Sequence, residues 1–143
     1  MKALLDTNPL VSALLKPSGV SGQIFQRWRR GQFDLAVSLS TLDELSAVLH
    51  RPHIIDKYTI RESDIQNHLG VLRNFAEIAL GKILLNVVHD DPKDNHVLAA
   101  AVDTNSGYLV YGDHHLLDLK EYQGIEILTP RAFLSNLEGL EAQ

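Results

Sequence analysis

The chain has 143 residues, 45% of them hydrophobic and 22% charged, which suits one globular domain with its own core. It has no cysteine, which excludes a disulfide framework and thiolate metal sites and fits a reducing cytosol. A net charge of −5 argues against a broad electrostatic grip on nucleic acid.

In chain order, Lys2–Leu5 reads as a short buried strand that runs straight into Asp6. Pro9–Leu15 reads as a helix, with proline tolerated in its first turn, and Lys16-Pro17-Ser18-Gly19 breaks it. A second helix spans Ser21–Arg30 and closes at Gly31. Asp34–Ser38 is a strand, and Ser40–Leu49 a helix ended by Arg51-Pro52. From Arg61 to about Leu80, apolar residues recur at helical spacing (Ile65, Leu69, Leu72, Phe75, Ala76, Ala79), which predicts one long amphipathic helix. "ILLNVV" predicts a strand and Pro92–Asn105 a helix stopped by Gly107. "YLVY" and "IEIL" predict two more strands, and Pro130–Leu137 a closing helix.

No apolar run approaches the roughly 20 residues of a membrane helix. The N-terminus does not read as a signal peptide, because Asp6 interrupts the apolar stretch early. Short strands alternating with helices imply βαβ units and a mostly parallel sheet. Such sheets bind ligands beyond the carboxyl ends of their strands, and Asp6 stands at one.

Four acids draw attention. Asp113, in "YLVYGDHHLLDL", repeats the pattern of Asp6, an apolar strand followed by a carboxylate. Either aspartate alone reads equally as a turn or N-cap residue. Glu44, in "LSTLDEL", lies about 100° from Leu45 on a helical wheel, at the rim of the buried face, while Asp43 points to solvent. Taken alone it reads as a surface glutamate. Asp94, in "HDDPKDNHVLAAAV", has a ready structural explanation: Asp91 as N-cap, Pro92 first in the helix, Asp94 third. As a set, however, several carboxylates in one cleft repel unless a cation neutralises them. Carboxylate and water ligands suit Mg²⁺ or Mn²⁺, which polarise phosphoryl oxygens and lower the pKa of bound water. Such ions also let an acidic pocket receive an anionic backbone.

Four stretches, "LLDTNPLVSALL", "STLDELSAVLHRP", "DPKDNHVLAAAV" and "YLVYGDHHLLDL", resemble in order and spacing the PIN-domain family, and within it the VapC-like toxins of toxin–antitoxin pairs. The resemblance runs from Met1 to about Leu134. It implies an α/β fold, a three-layer α/β/α sandwich with a central mostly parallel sheet. It implies a Mg²⁺- or Mn²⁺-dependent ribonuclease site of Asp6, Glu44, Asp94 and Asp113, with Asn8 orienting Asp6. It also implies an RNA substrate, a small antitoxin that blocks the cleft, and a homodimer. The chain departs from the branch at Lys93, where an extra acid is common, and at His114 and His115. These departures put a second metal site in doubt and leave His115 as a ligand or phosphate contact.

Two rival readings stand beside it. One is an inactive PIN-like module that binds RNA or a protein partner, motivated by Lys93 and His115. The other is a haloacid-dehalogenase-like phosphatase, weakened because Asn8 stands where its second aspartate belongs. Two basic clusters, Arg27 with Arg29 and Arg30, and His50 to Lys57, either hold phosphates or are solvated helix ends. The remaining histidines read as ordinary surface or core residues.

Overall fold

A computed structural model describes residues 1–81, 92–112 and 117–141. A six-stranded sheet has the order β3-β2-β1-β4-β6-β5. Its strands are β1 Lys2–Leu5, β2 Asp34–Ser38, β3 Glu77–Ala79, β4 Tyr108–Val110, β5 Glu121–Tyr122 and β6 Ile125–Leu128. All pairings are parallel except that of the edge strand β5 with β6. Among the described residues seven helices accompany it: α1 Thr7–Leu15, α2 Val20–Arg29, α3 Leu39–Leu49, α4 Pro52–Tyr58, α5 Glu62–Phe75, α6 Pro92–Asp103 and α7 Pro130–Glu141.

Alternation along the strands builds two cores. Ala3 and Leu5, Leu35 and Val37, and Val110 face one side, where they meet Leu10 of α1, Ile24 and Trp28 of α2, Leu45 of α3, Leu69 of α5 and Phe133 of α7. Leu4, Ala36, Leu109 and Ile127 face the other, against Val97, Leu98, Ala100 and Ala101 of α6. Both faces of the sheet are therefore covered, as a parallel sheet requires, and the molecule is an α/β/α sandwich.

The chain lays β1, β2 and β3 side by side, then returns through α6 to place β4 on the far side of β1. The order reverses between β1 and β4, which pair Leu5 with Val110. That is the switch point at which open α/β sheets leave a crevice beyond their strand ends.

Three expectations need correction. The helix expected over Arg61–Leu80 ends at Phe75; Ala76 turns to extended backbone and Glu77–Ala79 is the edge strand β3. The helical spacing of Phe75, Ala76 and Ala79 is coincidental: Phe75 is 64% exposed and carries the Arg29 guanidinium on its ring at 4.8 Å. Arg51-Pro52 does more than stop α3, since Pro52 opens α4, a short helix without a buried residue that stops at Thr59 in the left-handed conformation. β5 went unforeseen because a two-residue strand carries no readable period. The strand expected at "ILLNVV" lies outside the described residues. The other elements stand within a few residues of their expected bounds. No helix among the described residues is long and apolar enough to cross a membrane.

Candidate active site

Asp6 follows β1 directly and occupies the N-cap position of α1 with extended backbone. Its amide donates to the Val110 carbonyl at 3.3 Å, which continues the β1–β4 ladder by one step. The extended conformation keeps strand alternation, so its side chain turns to the α6 side. There it is 3% exposed, and its Oδ1 makes no hydrogen bond among the described residues. Burial pushes its carboxyl above the usual aspartate range; the Thr7 amide and the Lys93 ammonium oppose the shift, Glu44 adds to it, and Thr41 opposes it again. Thr7 is also buried, with its hydroxyl unbonded among the described residues.

Glu44 lies on α3, half-exposed, while Asp43 is exposed and Leu45 fully buried, as the helical wheel requires. The Ser38 hydroxyl caps α3 by accepting the Thr41 amide at 3.0 Å. Glu44 Oε1 meets Lys93 Nζ at 2.9 Å. Lys93 belongs to the first turn of α6, next to Asp94, which is wholly buried and accepts the Tyr111 hydroxyl on Oδ1 at 2.5 Å. Tyr111 follows β4 one step beyond the Leu5–Val110 pair, so it shares a row with Asp6.

The structure thus brings Asp6, Glu44 and Lys93 into one electrostatic neighbourhood, with Asp94 adjoining through Lys93 and Tyr111 through Asp94. Asp91, Asp113 and His115 lie outside the described residues. Among the described residues, no group of three acidic, histidine or cysteine side chains is close enough to hold a metal. Asn8 is exposed on α1, and no hydrogen bond among the described residues ties it to Asp6. Arg27, Arg29 and Arg30 are far from these acids. They close α2 just before the amino end of β2, at the opposite edge of the sheet. Arg27 pairs there with Glu141 at 2.8 Å, and Arg29 stacks on Trp28 and Phe75. In the second basic cluster, His50 caps α3 and pairs with Glu62 at 2.8 Å.

Between the start of α3 and α6 is a cleft of about 280 Å³ lined by Ser38, Ser40, Asp43, His96 and Asp103, with none of Asp6, Glu44, Lys93 and Asp94 in its lining. Leu39 and Leu80 stand exposed on its walls.

A parallel switch point with a buried carboxylate at its floor is an arrangement shared by many phosphate-handling folds, and comparison narrows it. The sequence profile of the PIN domain matches residues 2–115. The chain belongs to the PIN-domain family. PIN domains are generally nucleases and typically use divalent metals. The chain is also 25% identical to the uncharacterised protein MJ1680 of Methanocaldococcus jannaschii, over 96% of this chain and 92% of the relative. In this PIN domain Asp6 presents a buried carboxylate oxygen with no hydrogen bond among the described residues, a donor of the kind a hard cation takes.

Sequence reasoning missed two members of the site. Tyr111 was seen only as strand, although once β1 and β4 are neighbours the residue after each must share a row. Lys93 was noticed as a departure, but its partner Glu44, forty-nine residues earlier, has no sequence signal.

Proposed function

We propose that this PIN domain is a divalent-metal-dependent endoribonuclease, of the kind that serves as the toxin of a toxin–antitoxin pair. The observation that carries the reading is Asp6: a carboxylate buried at the switch point, with an oxygen unbonded among the described residues and a raised proton affinity. Asp6 and Asp94 would hold the ion, and the resemblance adds Asp113. Bound there, Mg²⁺ or Mn²⁺ supplies Lewis acidity toward a phosphoryl oxygen and a water acidic enough to deprotonate near neutrality.

The remaining work belongs to the chain. Tyr111 fixes Asp94 by a short hydrogen bond. α1 and α3 begin at the carboxyl edge of the sheet, immediately after β1 and β2, so their amino ends favour an anionic phosphate near the acids. Glu44, at the rim and paired with Lys93, completes the shell or serves as base toward the attacking water. In-line attack by water leaves a 5′-phosphate and a 3′-hydroxyl. The exposed Leu39 and Leu80, on the walls of the cleft between α3 and α6, would offer apolar purchase to a small antitoxin. The same reading takes the toxin to be a homodimer.

The Lys93–Glu44 ion pair favours a second reading, a module that holds RNA or a protein partner without cutting. One experiment separates them: incubation of mixed-sequence single-stranded RNA with the protein, with Mn²⁺ or with chelator, for wild type and Asp6→Asn. The expected outcome is metal-dependent cutting that falls at least about 100-fold in the variant. Products ending in a 2′,3′-cyclic phosphate, or equal cutting by both proteins, sink the hydrolytic mechanism. RNA binding without cutting supports the module.

A further inference from the structure

α3 packs on one face of the sheet and α6 on the other. The Lys93–Glu44 pair joins them over the carboxyl edge, next to the crevice that Asp6 floors. Its side chains are 49% and 40% exposed, and an ion pair that open contributes little to stability. Its position is better explained by charge. At 2.9 Å the ammonium engages one oxygen of the carboxylate best placed to recruit a further cation, and its own charge repels one.

Resting on the nuclease reading, we propose that Lys93 is a resident cation of the crevice: it holds Glu44 at the rim, places a fixed positive charge between Glu44 and Asp6, and limits the site to one Mg²⁺ or Mn²⁺. Lys93 is therefore a positioning residue that acts through Glu44. A lysine tethered to α6 cannot leave with product, so the charge at the rim stays constant through turnover.

Calorimetric titration of the full chain with Mn²⁺ tests this, using wild type, Lys93→Met, Lys93→Arg, Glu44→Gln and the Lys93→Met/Glu44→Gln double variant. Lys93 and Glu44 are half-exposed, so the variants fold. Wild type is expected to bind one Mn²⁺. Lys93→Met should bind the first ion about tenfold more tightly and gain a second, weaker one. Lys93→Arg should keep the single ion, and Glu44→Gln in the double variant should abolish the gain. Two ions in wild type, or identical titrations for wild type and Lys93→Met, overturn the inference and leave the nuclease reading standing. No Mn²⁺ bound by wild type overturns both.

Discussion

Asp6 is costly to the empty fold. Its carboxyl is buried, and one oxygen has no hydrogen bond among the described residues. Because its pKa is raised, the folded chain holds the proton more tightly than the unfolded chain does. The stabilising contribution is therefore present below the ordinary aspartate range and lost as pH rises through the folded value. Above that value the ionised, buried carboxylate works against folding. Asp6→Asn should stabilise the metal-free protein by about 1 kcal/mol at neutral pH, raising the melting temperature by roughly 3 °C in calorimetry. The difference should vanish in acid. Mn²⁺ should raise the melting temperature of wild type and leave that of the variant unchanged. A residue that weakens the fold where function needs it, and whose deletion strengthens it, is the signature of a site rather than of a cap.

Among elements, the contact of α5 with α1 turns on one histidine. His68 is buried, donates Nε2–H to the Leu10 carbonyl at 3.0 Å and lies 4.9 Å from the Phe25 ring. Burial pushes its imidazole below 6.5, with the Leu10 carbonyl opposing. Below that pH the unfolded chain takes a proton that the fold refuses, so stability falls on acidification. Urea midpoints at about pH 8 and about pH 5 should show a loss in wild type that is smaller by about 1 kcal/mol in His68→Gln, which cannot titrate. Elements such as α5 were legible in their amphipathic stretches because helical period and burial agree through Leu72. Legibility failed where apolar spacing continued past the point at which tertiary pairing took over, as at β3 beside β2. The positions of two acids were legible for a similar reason: Asp6 sits where a strand pattern stops, and Glu44 where a wheel has its rim. Lys93 with Glu44, and Tyr111 with Asp94, are meetings of distant segments, and only the assembled sheet reveals them.

On the scale of the molecule, the larger core depends on its last helix. Phe133 of α7 is fully buried, packs edge-on against Phe33 at 5.2 Å and touches Tyr108 of β4. Phe133→Ala should destabilise the protein by about 3–5 kcal/mol, seen as a lower denaturant midpoint with unchanged slope. The ends of the sheet are guarded by brevity, with three residues in β3 and two in β5, which leaves little edge for another chain to extend. The reversal between β1 and β4 has a consequence in time. Leu5 waits for Val110, so the ribosome releases Asp6 and Glu44 long before Lys93, Asp94 and Tyr111 emerge to meet them. A nascent chain therefore carries Asp6 and Glu44 without the other wall of the crevice until the residues through Tyr111 have emerged.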